Sequence, residues 1–270
     1  MNIYERRKRT KIYFSRTYRH FKVNYKEQLI FLFALILPSV LLFLLFYTEI
    51  SRFIAEVSRF VFSAVFPANS MEITKSDFFP LFGGVYHLDL QSKSPTYNEI
   101  WINLALTLAL LVVSFLAGRR EKKRTPLPIY FSMILLIHLV SVVYFLFARY
   151  YFPYTAAKYS ELYIKQQVVI WLALMIVSGF VLGIIGFGNI KRRILLYFGL
   201  IGYSFVFGIV RFITFTYIVS AGSSLYMASL FFTLGPLYDF LYFIFLYSIF
   251  VNKEIRYFGY GEGRYDWQWL

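Results

Sequence analysis

Six stretches of mostly apolar residues recur along this 270-residue chain, at 28–47, 100–118, 127–148, 168–187, 194–219 and 225–251. At about 1.5 Å per residue each can cross roughly 30 Å of hydrocarbon. Inside lipid every backbone N–H and C=O must be bonded within the protein, so segments of this length cross as helices. The composition agrees, since the chain is 59% hydrophobic where a soluble domain is about 45–50% apolar. The expected fold class is an all-α polytopic membrane protein of about six transmembrane helices.

The formal charge of +14 raises a nucleic-acid reading, and its distribution removes it. Residues 1–27 carry nine basic residues against Glu5 and Glu27. Further basic runs stand at 119–124 and 191–193, and a mixed-charge tail at 252–270 adds three more. With alternating crossings these segments share one side and hold 20 of the 28 Lys and Arg. That is the asymmetry expected of cytoplasmic loops. Both termini are therefore expected in the cytoplasm, with the chain in the cytoplasmic (inner) membrane and no nucleic-acid partner. The arm at 1–27 interleaves aromatic and basic residues. It reads either as a segment lying on the anionic inner leaflet, at about 1 kcal/mol per basic side chain, or as a solvated retention tail. The apolar run after it is longer than a signal-peptide core and lacks a small-residue cleavage site, so it reads as an uncleaved anchor.

Between the crossings, Ile50, Phe53, Ile54, Val57, Phe60, Val61 and Ala64 recur at helical spacing with Arg52, Glu56 and Arg59 opposite. The pattern predicts an interfacial amphipathic helix over 50–66. An outer loop over 67–99 follows, with a strand pair at 72–75 and 85–90 about Gly83-Gly84. His87 and Asp89 in that strand lack further nearby ligands and read as a solvated strand face. Gly179 and Gly183, with Gly186 a turn further on, form a GxxxG face that lets another helix approach closely. The chain has no cysteine and only three histidines. It has no HExxH, GxSxG or phosphate-cradling glycine loop, so no metal, cofactor or catalytic group is expected.

Two charges fall at membrane depth, Arg211 in the fifth stretch and Asp239 in the sixth, and His138 lies at similar depth in the third. Each charge costs roughly 2.5–3.5 kcal/mol there even on the lenient insertion scale, so something must compensate it. One reading makes Arg211, His138 and Asp239 a shared polar pocket that binds an anionic ligand or relays protons. The other makes Arg211 and Asp239 a structural pair and His138 a core histidine bonded to a carbonyl.

Gln166-Gln167, the basic turn KRRI from Lys191, GIVRFITF around Arg211 and FFTLGPLYDF around Asp239 stand in a telling order. Over residues 166–250 the chain resembles the C-terminal half of the exosortase/archaeosortase family, polytopic enzymes that cleave and transfer C-terminal sorting tails at the outer membrane face. Arg211 falls where that family has an arginine. Gln166-Gln167 stand where its cysteine would open a helix, and the last segment has no histidine. The resemblance implies a relative without the thiolate and base that transpeptidation needs.

The function expected is that of a non-catalytic, exosortase-like membrane subunit of a larger envelope assembly, serving surface-protein sorting, secretion or polysaccharide export. Its partners would be membrane lipids and other membrane protein subunits. The alternative is a transporter or ion-conducting subunit in which Arg211 and Asp239 line a pathway. A membrane-embedded transpeptidase or hydrolase with atypical residues is the third reading.

Overall fold

The computed structural model describes residues 19–21, 25–67, 71–80, 83–120, 126–184, 190–260 and 267–269. Most of the basic arm, residues 121–124, Gly186 and much of the tail lie outside them. In chain order the elements are β1 (Arg19–Phe21), α1 (25–62), β2 (Glu72–Phe79), β3 (Gly83–Asp89) and α2 (Tyr97–Arg120). Then come α3 (Pro126–Ala148), α4 (Ala156–Ile184), α5 (Ile190–Tyr217), α6 (Met227–Phe232), α7 (Pro236–Tyr260) and β4 (Trp267–Trp269).

Five helices, α1 to α5, are long and apolar enough to cross a membrane, α5 counting with its π extension to Gly222. The sixth crossing is split into the six-residue α6 and the apolar part of α7, Tyr238–Phe250. The chain is a multi-pass helical membrane protein. β1 and β4 pair antiparallel, Arg19 opposite Trp269, so the described terminal segments meet at the start of α1.

The expected separate helix at 50–66 is a continuation of α1. A π turn at Leu32–Ile36 stands just before Pro38, and Leu37 N–H reaches back to the Leu32 carbonyl. Proline breaks an α ladder, and the widened turn lets the helix run through it. The apolar span Gln28–Phe62 has 35 residues, roughly 50 Å of helix against roughly 30 Å of hydrocarbon. Its far end buries Ser51, Ile54, Ala55, Ser58 and Phe62. That face packs into the protein, while Phe53, Phe60 and Val61 of the expected apolar face stay exposed.

What it packs against is the β2–β3 hairpin, registered from Glu72 opposite Asp89 to Phe79 opposite Gly83 and longer in its first strand than the sequence predicts. Gly83 has φ +103°, which glycine alone adopts freely. A Cβ on Gly84 would stand 2.3 Å from the Ser76 carbonyl oxygen. The β3 edge is closed by helix side chains. Tyr86 N–H donates to Ser51 Oγ at 3.0 Å and Leu88 N–H to Ser160 Oγ at 3.1 Å. Tyr47 OH and Thr48 Oγ1 donate to the Gly83 and Gly84 carbonyls. An edge that could have paired with another chain is thereby used up inside this one.

α4 begins at Ala156, twelve residues before the sequence suggests. Its first turns carry Lys158, Glu161 and Lys165, which lower the hydropathy but pair along the helix at 2.8 and 2.6 Å. Further along, a Cβ on Gly179 would stand 2.5 Å from Ile36 Cγ1, and one on Gly183 3.4 Å from Phe31 Cδ1. The GxxxG face thus seats the π turn of α1 and is not a surface left for a partner. The main core joins α1, the hairpin, α4 and α5 through Phe43, Tyr47, Leu88, Tyr163, Trp171 and Phe212. The α2–α3 pair joins it through a smaller cluster that includes Val142, Phe145 and Leu225.

Candidate functional site: a buried arginine at a helix break

Gly235 and Pro236 interrupt the sixth crossing. Proline cannot donate to the preceding turn, and a Cβ on Gly235 would stand 2.6 Å from the Phe231 carbonyl oxygen. The interruption frees carbonyls at membrane depth, and lipid would not tolerate them unbonded. Thr233 O accepts from Tyr130 OH of α3 at 3.1 Å. Gly235 O accepts from Arg211 Nη1 at 2.7 Å, and Leu234 O from the same nitrogen at 3.4 Å. Side chains from two other helices therefore complete the break.

Arg211 stands one turn after Gly208 on the α5 face that also buries Ser204 and Phe215. A Cβ on Gly208 would lie 2.9 Å from Trp171 Cζ2 and 3.0 Å from Gln167 Nε2, so the glycine is what lets α4 lay these side chains against α5. Gln167 Oε1 then accepts from Arg211 Nη2 at 2.5 Å. The same nitrogen donates to Asp239 Oδ2 at 2.5 Å, and Tyr242 OH donates to Asp239 Oδ1 at 2.8 Å. The guanidinium lies over the rings of Tyr163 and Phe207 at 5.8 and 5.6 Å. Arg211 is 4% exposed and Asp239 1%. The pair is closed on all sides and compensates both charges.

Helix dipoles add to this arrangement. Arg211 bonds carbonyls that follow the C-terminal end of α6, where positive charge is favoured. Asp239 lies in the first turn of α7, where negative charge is favoured.

His138 belongs to another cluster. Its Nδ1 is 3.0 Å from Ser229 Oγ, and its ring stacks on Tyr226 at 5.4 Å. Tyr226 OH donates to Asn103 Oδ1 and Ser141 Oγ to the Leu225 carbonyl. These bonds tie α2 and α3 to the start of α6. The three-residue pocket therefore resolves into the Arg211–Asp239 pair and a separate histidine, whose partner is a serine hydroxyl rather than a carbonyl.

His87 also departs from its expected solvated face, being 7% exposed with Nε2 2.9 Å from Thr74 Oγ1 across the hairpin. Burial lowers its pKa from the usual 6.5, against the opposing pull of Glu161 and Asp89. Asp89 itself is exposed. Among the described residues no group of three or more His, Asp and Glu could hold a metal ion.

Sequence reasoning did not assign Gln167, Tyr163, Gly208 and Tyr242 to the site. The signal for Gln167 was its place in the resemblance, where the family's cysteine would open a helix. No protein-family model, no curated protein and no solved structure matches this chain.

Proposed function

We propose that this chain is a non-catalytic, exosortase-like subunit of a larger envelope assembly in the cytoplasmic membrane, with both termini in the cytoplasm. One observation carries the reading. Three of the four stretches that bear the resemblance, those around Gln167, Arg211 and Asp239, meet at one point, with Arg211 bonded to residues of the other two. An amide occupies the position where the family's nucleophile is expected, and it is committed to the arginine. The four N–H bonds of Nη1 and Nη2 point to protein acceptors, which suits an arginine that holds the fold.

The basic runs on one side support the assigned orientation, and the pairing of the described terminal segments supports their lying on a common side. The test is purification of the tagged chain from native membranes in nanodiscs, with mass spectrometry of what co-elutes. Stoichiometric membrane partners are expected with the wild type and with Arg211→Gln. A chain that elutes alone overturns the reading.

The split sixth crossing favours a second reading, a transporter or ion-conducting subunit, because discontinuous helices with charged groups at the break recur at transport sites. Reconstituted flux abolished by Asp239→Asn, with abundance and assembly unchanged, would select it.

A further inference from the structure

The far end of α1 carries a surface that the fold leaves uncovered. One side of the helix buries Phe43, Tyr47, Ser51, Ile54, Ser58 and Phe62. On the opposite side Leu42, Phe46, Glu49, Phe53, Glu56 and Phe60 recur in alternating steps of four and three, and all six are exposed. Steps of that kind make the seam by which one helix packs along another. Phe46, Phe53 and Phe60 are 55%, 53% and 79% exposed, and Glu49 and Glu56 fill the layers between them.

Lipid does not cover the whole of this stripe. Even at a tilt of about 40°, the hydrocarbon holds only about 26 residues of helix. Counted from Gln28, where the apolar span begins, that reaches Phe53. Phe60 lies about two turns further out, with Glu56 and Arg59 exposed beside it. An apolar strip exposed among charges beyond the hydrocarbon marks a protein contact.

The charges decide which protein. A second copy in the same membrane would set its α1 parallel to this one, so that each layer meets its own counterpart. Glu49 would then face Glu49 and Glu56 face Glu56, and like charges so placed oppose association. Basic residues at those two layers have the opposite effect. Both acids are open to them. Glu49 makes no ion pair among the described residues. Glu56 pairs with Arg52 at 3.1 Å, both side chains about half exposed, and exposed pairs of this kind contribute little.

We infer that this stripe of α1 docks one helix of another membrane subunit, which runs beside α1 out past the hydrocarbon. That helix is apolar opposite Phe46, Phe53 and Phe60 and carries Lys or Arg opposite Glu49 and Glu56. The seam rests on the subunit reading above and adds to it the face used and the chemistry of the partner.

The test places the photocrosslinker p-benzoylphenylalanine at position 53 or 60 of the full chain in native membranes. Irradiation is expected to join both positions to one helix of one other protein. Glu49→Lys/Glu56→Lys changes two exposed side chains, and in it the adduct is lost while the abundance of the chain is unchanged. Replacing the basic residues of the crosslinked helix by Glu restores the adduct to that variant. No protein adduct, an adduct with a second copy of this chain, or an adduct that survives the charge reversal overturns the seam. Subunits that co-elute with the chain while positions 53 and 60 stay free of protein adducts sink the seam and leave the subunit reading standing. A charge-dependent adduct from a chain that elutes alone does the reverse.

Discussion

Arg211 Nη2 lies 2.5 Å from Asp239 Oδ2, while Nη1 of the same guanidinium bonds the Gly235 carbonyl at 2.7 Å. One side chain of α5 therefore holds both the last carbonyl before α7 and the acid in its first turn. Removing either member of a buried pair leaves the other charged and alone, a loss of about 3–5 kcal/mol. Arg211→Met and Asp239→Leu are each expected to destabilise by that order, and the double variant by less than the sum. Unfolding in mixed micelles by sodium dodecyl sulfate titration measures the cycle. Strict additivity would mean that the two side chains are not coupled.

Gly208 gives a test of the α4–α5 contact that leaves every charge in place. The added methyl of Gly208→Ala meets Trp171 and the Gln167 amide at 2.9 and 3.0 Å, and overpacking of this kind costs about 1–3 kcal/mol. Gly199 lies on the same helix with nothing within 4 Å of an added Cβ. Gly199→Ala is accordingly neutral or slightly stabilising through helix propensity. Melting midpoints of the two variants, compared side by side, decide the matter.

The GxxxG contact is expected to be intramolecular. Gly179→Ala collides with Ile36 and should destabilise the chain, while adding Ile36→Ala should recover part of the loss by making room. If Gly179→Ala changes self-association or partner retention and leaves thermal stability untouched, the face serves another chain.

His87 makes the hairpin pH-sensitive, with a sign fixed by its surroundings. Burial lowers its folded pKa below the usual 6.5, so the unfolded hairpin takes up a proton more readily than the folded one. Its contribution to stability is complete above about pH 6.5 and falls as the pH drops from there through the lowered value. Glu161 and Asp89 favour the charged form, and Lys165 and Lys158 oppose it. Hydrogen exchange of the β2 and β3 amides, corrected for intrinsic rates, should show weaker protection at pH 5.5 than at pH 7.5. His87→Gln should flatten that difference.

The sequence revealed what depends on local pattern. The crossings, the hairpin about Gly83-Gly84 and the need for Arg211 and Asp239 to be compensated all follow from apolar run length, turn chemistry and the cost of charge in lipid. What escaped it depends on neighbours distant in the chain. The amphipathic pattern over 50–66 points to an apolar face of which Phe53, Phe60 and Val61 stay exposed, and nothing in it shows that the small face of Ser51, Ala55 and Ser58 is the one a hairpin covers. The early start of α4 was hidden because Lys158, Glu161 and Lys165 lower the hydropathy while pairing along the helix. His138 could be placed by depth but not by direction, and its ring turns toward Ser229.

The split crossing has a consequence for how the chain enters its membrane. α5 alone would carry an unpaired guanidinium into the bilayer, and the segment after it an unpaired carboxylate and unbonded carbonyls. Each charge alone costs roughly 2.5–3.5 kcal/mol at insertion. Entering together, the two segments present lipid with a couple whose charges offset each other and whose Gly235 carbonyl is already bonded. The last two crossings are thus one unit of biogenesis. A ribosome-stalled chain ending near residue 222 should leave α5 poorly retained in the bilayer, and lengthening it past Tyr242 should lock both segments in place at once.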